Sequence, residues 1–384
     1  MKRVMIKINV SVLLLVLASC STNYRMTTCV YKDGRISREV YAKADSAFLA
    51  GNRSGNPFLF QLGDRWMVEN LDSCVKVDFF GEEAELNVKA ERTWKAEGTF
   101  SFFSANEKWM KPLAEPQEKL EKHFRWFYTY YTYTCDFREI EDKGLIPMDK
   151  YLGKPEQALL FQGDMSGYQG MNGVELKSVL EDAEEKFMKW LYHTQFELSY
   201  EVVEYFLQRG GEAAYAVKLK TEKEEIFLGD KNRKEENECS PEYVCTLLDK
   251  RYDTLVFTDL YKANQKEIQK MYDKKCVTME LFDNQIKFEL AMPGELLSAN
   301  TLLKEEGRVI WKVDAYRLLG GNYVLEAESR VMNMWAFCVT GLLIALAGYG
   351  ILRMLFFIFC LQTTNPEEKG EWQARKGHEP FKRH

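Results

Sequence analysis

The sequence predicts an α+β fold followed by one C-terminal transmembrane helix. Three observations predict it: apolar and polar residues alternate near both ends of the chain, helical periodicity lies between them, and an uncharged apolar run comes near the C-terminus. One antiparallel sheet built from N- and C-terminal strands, with a helical middle packed on it, is the commonest way to close such an order. A separate helical domain inserted between the two halves is the alternative.

The same patterns divide the chain into six segments. They are a signal peptide at 1–19, a strand-rich half of an exported domain at 20–147, a helical block at 148–273, a strand-rich half completing the sheet at 274–332, a transmembrane helix at 334–358 and a cytoplasmic tail at 362–384.

The N-terminus has the pattern of a secretory signal. Three basic residues precede the apolar run Val10–Ala18, which is too short to span a membrane. The run ends in Leu17-Ala18-Ser19-Cys20, which resembles the lipobox of bacterial lipoproteins. The resemblance implies that Cys20 is alkylated on sulfur with a diacylglyceryl group and becomes the new N-terminus. An ordinary signal peptide cut nearby is the alternative.

Strand signals follow in the first half of the body. In Glu85–Glu91, apolar residues alternate with polar or charged ones, which predicts a strand with one wet face. Pro116 is expected to begin a short helix that runs through His123, because proline is tolerated in the first turn.

The densest aromatic stretch is Arg125–Phe137. As a strand it carries Trp126, Tyr128 and Tyr130 on one face. These three residues are candidates for lining a groove that holds an acyl chain or a glycan, since aromatic side chains supply apolar area and, in Tyr and Trp, a polar tip. The alternative is a central strand packed on both sides.

The middle of the chain is helical in pattern. Apolar residues recur every three or four positions from Leu176 to Leu191, which predicts an amphipathic helix. Thr194 with Glu197 has the spacing of a capping box and predicts the start of a second helix. The highly charged stretch 220–237 is expected to be a solvated loop or hairpin. Strand signals return after Val277, where the turn Asp283-Asn284 separates two predicted strands.

The run Met334–Leu352 contains no charge, and its 19 residues would span roughly 28 Å as a helix, close to the thickness of a bilayer core. Arg353 ends it and is expected near the cytoplasmic interface. Four small residues at helical spacing, Cys338, Gly341, Ala345 and Gly348, would let a second helix approach. The basic residues of the tail favour a cytoplasmic tail and a body outside the cytoplasm. The expected location is therefore the bacterial inner membrane.

The charge and cysteine composition limits the classes of partner and the redox state that we expect. The chain has 52 basic and 58 acidic residues, a formal net charge of −6, which argues against nucleic acid. Apart from Cys20, Cys338 and Cys360, six of the nine cysteines lie in the body, where export permits disulfides. Cys239 and Cys245 are candidates for a local pair. The alternative is that several are small buried hydrophobes.

Motifs that carry chemistry are absent from the sequence. The phosphate-binding patterns GxxxxGK[ST] and GxGxxG, the zinc pattern HExxH and CxxC do not occur, and His123 and His193 stand alone. We therefore expect no catalytic residue, no metal and no cofactor. The predicted function is a non-catalytic envelope protein that binds a membrane lipid, a glycolipid or an envelope protein. An envelope hydrolase is the alternative, and it requires a polar cleft with two carboxylates about 5–10 Å apart.

The layout as a whole resembles the mycobacterial LppM-like lipoprotein domain. The shared features are the lipobox, the strands around a helical middle, the span next to the sheet, and Met292-Pro293-Gly294 followed by Ser298-Ala299-Asn300 and Trp311. The resemblance implies an α+β envelope domain that contacts lipids or glycolipids. The chain also looks like lipoproteins of Bacteroidetes-type bacteria that have no assigned function.

Overall fold

The computed structural model describes residues 22–52, 55–96, 98–101, 103–141, 143–230 and 239–363. These residues divide into two compact units. The main unit comprises residues 22–121 and 131–329, and the hairpin–helix unit comprises residues 122–130 and 330–363. The predicted signal peptide, Cys20 and residues 364–384 of the predicted tail lie outside the described residues. Residues 362–363, also predicted as tail, continue the last helix.

A seven-stranded sheet contains strands from both ends of the chain. Its order is β10-β11-β8-β1-β2-β4-β3. The strands are β1 (Thr22–Val30), β2 (Arg35–Ala42), β3 (Met67–Phe79), β4 (Glu82–Lys95), β8 (Asn284–Ala291), β10 (Lys304–Glu305) and β11 (Arg308–Asp314). β1 pairs in parallel with β8, which begins 262 residues later.

A second, five-stranded sheet has the order β5-β6-β7-β12-β9. Its strands are β5 (Gly98–Phe100), β6 (Gln117–Phe124), β7 (Tyr128–Phe137), β9 (Glu295–Ala299) and β12 (Tyr323–Met332). The predicted α+β class, with sheets built from both ends and helices between, is confirmed. The structure adds that the strands form two sheets and that β1 and β8 pair in parallel.

The core of the main unit lies on the inner faces of the strands. In β2 every second residue is buried, as the two-residue period of a strand requires. The same alternation buries Tyr131, Tyr133, Cys135 and Phe137 of β7. Side chains of both sheets belong to one hydrophobic cluster.

One inward position in each sheet carries a charge. Arg38 of β2 makes two hydrogen bonds to the Glu118 carboxylate of β6, at 2.6 and 2.7 Å, and both side chains are fully buried. Arg38 also donates to Thr28 Oγ1 at 2.9 Å and to Tyr133 Oη at 3.0 Å, while Tyr133 donates to Glu118. Burial alone would lower the pKa of Arg38, but Glu118 and Tyr133 raise it, so the guanidinium stays charged.

The helices of the main unit are mostly in its middle. They are α1 (Ser46–Leu49), α2 (Lys111–Ala114), α3 (Lys154–Gln157), α4 (Gly173–Arg209), α5 (Ala213–Gly229), α6 (Pro241–Tyr252), α7 (Val256–Cys276) and α8 (Ala315–Leu319). Asn172 caps α4 through the amides of Val174 and Glu175. α4 to α7 enclose a second hydrophobic cluster of their own.

The expected second helix at Thr194 is wrong. α4 runs through this position for 37 residues, and Thr194 Oγ1 is buried without a hydrogen-bond partner instead of capping. The apolar period continues through Phe196, Tyr200 and Val203 into the helical cluster, so packing favours one unbroken helix.

Three other local expectations are also corrected. The segment after Pro116 is β6 instead of a helix, because Glu118 and Leu120 point inward with a period of two. Residues 277–283 form a 3₁₀ helix where a strand was expected. The charged stretch from residue 220 stays helical up to the end of α5.

The cysteines form no disulfide among the residues that the structure describes. The candidate pair Cys239 and Cys245 is not formed, and the alternative of small buried hydrophobes holds for both. Both side chains are buried in the helical cluster, where they act as small apolar residues.

The hairpin–helix unit contains the last helix, α9 (Met334–Thr363). Its segment Met334–Leu361 is long and apolar enough to cross a membrane. The rest of this unit is the turn between β6 and β7 and the end of β12.

Candidate functional site

The turn between β6 and β7 exposes large aromatic side chains. The amide of Arg125 donates to the carbonyl of Tyr128 at 2.8 Å, which closes a tight turn around Trp126 and Phe127. Phe124 is 59% exposed and Trp126 is 44% exposed. The tip of the hairpin therefore carries an exposed aromatic surface.

Asn333, the residue before α9, holds the hairpin and the helix together. Its amide nitrogen Nδ2 donates to the carbonyls of Arg125 at 2.8 Å and Trp126 at 3.2 Å, and its backbone amide donates to the Phe127 carbonyl at 2.8 Å. Its Oδ1 accepts from Thr129 Oγ1 at 3.0 Å. A single residue therefore supplies donors to three successive carbonyls of the turn at the point where the helix begins.

Aromatic rings extend this contact along the helix. Trp335 lies parallel to Phe124, with ring centroids 6.2 Å apart, and edge-on to Trp126 at 5.1 Å. Phe337 packs on Phe127 at 4.7 Å. Such offset and edge-on pairs are the favoured geometries of aromatic rings.

The indole nitrogen of Trp126 donates to Thr340 Oγ1 at 2.9 Å. Thr340 comes six residues after Met334, which is about 9 Å along a helix. The tip of the hairpin therefore reaches beyond the first turn of the apolar helix.

The structure brings the three predicted groove residues close to the start of the helix. Trp126 contacts Trp335 and Thr340, and Tyr128 packs edge-on to Phe337 at 6.2 Å. Tyr130 lies beside Tyr128, with ring centroids 6.5 Å apart, and both are half-buried. Whether they line a ligand groove stays a prediction, and the contacts add a helix that the sequence did not connect to them.

The four small residues of α9 lie close together around the helix axis. At 100° per residue, Cys338, Gly341, Ala345 and Gly348 fall about 20–100° from Phe337, on the side away from Thr340. A Cβ atom built on Gly341 or Gly348 would meet nothing within 4 Å among the described residues. Helix pairing through this face stays a prediction.

Sequence reasoning missed a polar cluster in the helical part of the main unit. Tyr151 Oη lies 2.8 Å from His193 Nδ1, and Glu197 Oε1 lies 3.7 Å from His193 Nε2. Lys223 donates to Glu197 Oε2 at 2.5 Å. The signal was available, because His193 and Glu197 are four residues apart on one helix face.

Burial decides what this cluster can do. His193 and Glu197 are each 7% exposed, and the imidazole stacks on Phe227 at 3.9 Å. Burial alone would raise the pKa of Glu197, but His193 and Lys223 lower it, so the carboxylate stays ionised. The cluster joins α4 to α5 and to the loop at Tyr151, and its buried groups suit a structural role.

An open cavity of about 500 Å³ lies elsewhere in the main unit. Its lining is Asn56, Gln61, Leu62, Gly63, Asp64, Trp66, Val68 and Asn106. Asn56 donates to Asn106 Oδ1 at 2.9 Å, and Asn106 donates to the Phe58 carbonyl, so these amides hold the loop itself. Asp64 is the single carboxylate of the lining.

No group of three or more metal-ligating side chains occurs in the described ranges.

Comparisons with known proteins add little to this geometry. No protein family matches the chain, and no curated protein matches it. Among solved structures, the NMR structure of the folded domain of LppM from Mycobacterium tuberculosis is similar over 82% of this chain and 91% of that chain, at 9% identity and a TM-score of 0.23. At these values the two chains share only a loose resemblance.

Proposed function

We propose that this protein is a non-catalytic, membrane-anchored envelope protein whose exported domain contacts membrane lipid directly. α9 is its transmembrane helix, and the aromatic hairpin beside α9 is its lipid-contacting site. The observation that carries the proposal is the hydrogen bond from Trp126 to Thr340, together with the exposed rings around it.

The depth of the hairpin supports this assignment. If the bilayer begins near Met334, a side chain bonded to Thr340 lies about 9 Å further in. Tryptophan and tyrosine favour that depth, since an apolar ring and a polar N–H or O–H suit the boundary between headgroups and acyl chains. Phe124 and Trp335, both more than half exposed, would lie at the same boundary.

The anchor and topology form part of the proposal. The lipobox-like Leu17-Ala18-Ser19-Cys20 supports a lipid on Cys20, and the basic residues after Arg353 support a cytoplasmic tail. Both ends of the exported domain would then be held at one membrane. Metabolic labelling with an alkyne fatty acid tests the anchor, and equal labelling of wild type and Cys20→Ala would exclude it.

The hydrolase alternative gains no support from the cavity. Glycoside hydrolysis by the usual mechanism needs two carboxyl groups that flank the substrate bond. Asp64 is the one carboxylate in the lining of the cavity, whereas the hairpin offers the apolar surface that lipid binding needs.

Brominated lipids test the proposed site. The full-length protein is reconstituted in vesicles of phosphatidylcholine brominated at shallow acyl positions, where bromine quenches nearby tryptophan fluorescence. We expect quenching in the wild type, and we expect Trp126→Phe and Trp335→Phe each to remove part of it. Trp109→Phe, a half-buried tryptophan of the main unit, is the matched control and should leave the quenched amount unchanged.

The two variants separate the helix from the hairpin. Loss of quenching in Trp335→Phe alone would mean that α9 enters the bilayer while the hairpin does not touch lipid. That result would contradict the proposed site.

A further inference from the structure

The hairpin–helix unit differs in charge from the chain as a whole. Its described residues, 122–130 and 330–363, include Lys122, Arg125, Arg330 and Arg353 and no Asp or Glu, which gives a formal charge of +4 with histidine neutral. The whole chain has a formal charge of −6. Positive charge is therefore concentrated in the unit that contains the apolar helix.

Three of the four cations belong to the hairpin end. Lys122 and Arg125 are exposed on either side of Phe124, and the Arg330 guanidinium lies over the Tyr128 ring at 4.8 Å. Arg353 is 19 residues after Met334, about 28 Å further along the helix. The three cations of the hairpin end and Arg353 are therefore separated by about the thickness of a bilayer core.

We infer that the hairpin binds the headgroups of anionic phospholipids in preference to zwitterionic ones, an inference that rests on the proposed lipid contact. A guanidinium pairs with phosphate oxygens through two parallel N–H donors, and an ammonium pairs with them as a point charge. Cations beside a membrane are attracted to a surface of negative headgroups.

The exposed rings identify a bilayer as the source of these phosphates. Phe124 and Trp126 alternate with the cations along the chain, so a partner must offer apolar and anionic surface together. Trp126 is bonded to a residue well inside the apolar helix, so the same surface continues into acyl chains. A lipid leaflet has both properties at this spacing.

Selective bromination tests the preference. The full-length protein is placed in two sets of vesicles of the same composition, about one fifth phosphatidylglycerol in phosphatidylcholine. Bromine is on the phosphatidylglycerol in one set and on the phosphatidylcholine in the other. The difference in quenching between wild type and Trp126→Phe reports the lipid beside the hairpin. We expect phosphatidylglycerol to quench at least about fivefold more per mole, the preference that one cation near an anionic surface produces.

Charge variants isolate the cause. Lys122→Gln/Arg125→Gln leaves Arg330 in place and should lower the ratio clearly, whereas Lys122→Arg/Arg125→Lys, which keeps both charges, should retain it. Lys119→Gln is the matched control, since Lys119 is an exposed lysine of β6 in the main unit that pairs with Glu121 at 2.6 Å. Added salt should lower the wild-type ratio by screening.

The outcomes distinguish this inference from the proposed function. Equal quenching by the two lipids in the wild type would overturn the anionic preference and leave the lipid contact standing. An absence of Trp126 quenching by both lipids would overturn the lipid contact and the preference with it. A ratio unchanged in the glutamine variant would show that these two cations do not select the headgroup.

Discussion

The aromatic stretch Arg125–Phe137 has two ends that are both rich in aromatic residues and differ in environment. Toward its C-terminal end, in the main unit, Tyr131 and Tyr133 are 2% and 0% exposed, and their hydroxyls donate to the Lys32 carbonyl and to Glu118. At its other end, in the hairpin–helix unit, Trp126 and Phe127 keep more than a third of their surface exposed. There the polar atom of Trp126 donates to the threonine of an apolar helix.

The difference shows that aromatic density does not determine burial. In both places the ring supplies apolar area and its polar atom finds a partner. The two ends differ in the groups that they contact. Tyr133 is hydrogen-bonded to a buried ion pair, whereas the hairpin packs against a helix that is exposed along most of its length. The first environment makes a core and the second makes a surface.

The largest loss of stability is expected from a substitution at the buried end of the stretch. Glu118→Gln would leave the Arg38 guanidinium buried without a counter-charge, and we expect it to lower the free energy of unfolding by about 3–5 kcal/mol. Urea denaturation of the full-length protein in detergent micelles, followed by circular dichroism, measures this. The neighbouring control Lys119→Gln affects an exposed pair and should cost less than about 1 kcal/mol.

A double variant checks the reason for the loss. Arg38→Met/Glu118→Leu removes both charges, and replacement of a buried ion pair by apolar residues is often neutral or stabilising. Recovery of most of the lost stability would show that the uncompensated charge caused the defect. An equally unstable double variant would mean that the cluster stabilises the fold through its geometry instead.

Much of this arrangement could be predicted from the sequence, and the rest was hidden by sequence distance. The alternation in β2 and β7, the apolar helix and the sheet built from both ends follow from local periodicity. The Arg38 position fits the inward period of β2, but a lone charge there suggests exposure until Glu118 is known, 80 residues later. Pro116 suggested a helix for the segment that contains Glu118, so the pairing of Arg38 with Glu118 could not be predicted.

The hairpin site was predictable only in part. The sequence placed Trp126, Tyr128 and Tyr130 on one face of a strand, whereas in the structure Trp126 lies in the turn before β7, which begins at Tyr128. Trp126 and Tyr128 contact α9, and the ligand groove stays a prediction. Their contact with the helix spans more than 200 residues, and an asparagine before an apolar run gives no sign that it bonds a distant turn. Long-range polar contacts of this kind have no local signature.

The second largest effect is expected in the pH dependence of stability, because the main unit contains buried carboxylates and the described part of the hairpin–helix unit contains none. Burial alone would raise the pKa of Glu289, but its bonds to Arg25 and Arg308 lower it below the ordinary 4.5. The folded state then binds fewer protons than the unfolded state, so this contribution to stability is complete above pH 4.5 and is lost as the pH falls through the folded pKa. Glu197 acts in the same direction.

A substitution makes this measurable. Glu289→Gln should cost about 1.5–3 kcal/mol at neutral pH, since it removes charge-assisted hydrogen bonds, and the difference from wild type should shrink in acid. Urea titrations at several pH values test it. The hairpin–helix unit has no carboxylate among its described residues, so Trp126 quenching should not follow the same pH dependence. A constant difference between Glu289→Gln and wild type at all pH values would contradict the assignment.

The smallest effect on stability, and the sharpest test of the exposed end, is expected at Asn333. Asn333→Ala removes the side-chain bonds to the carbonyls of Arg125 and Trp126 and from Thr129, while the backbone bond to Phe127 remains. These groups are partly exposed, so we expect a loss of about 1 kcal/mol. That corresponds to roughly fivefold faster amide exchange in residues 124–128, with no change in β8.

A matched asparagine in the main unit shows whether the effect is local. Asn300 also makes three side-chain bonds, from Trp311 Nε1, from the Glu326 amide and to the Val324 carbonyl. Asn300→Ala should speed exchange around β12 and leave the hairpin unchanged, whereas Asn333→Ala should do the reverse. If Asn333→Ala left residues 124–128 protected, the ring contacts alone would hold the hairpin against the helix, and Trp126 would keep its depth without this asparagine.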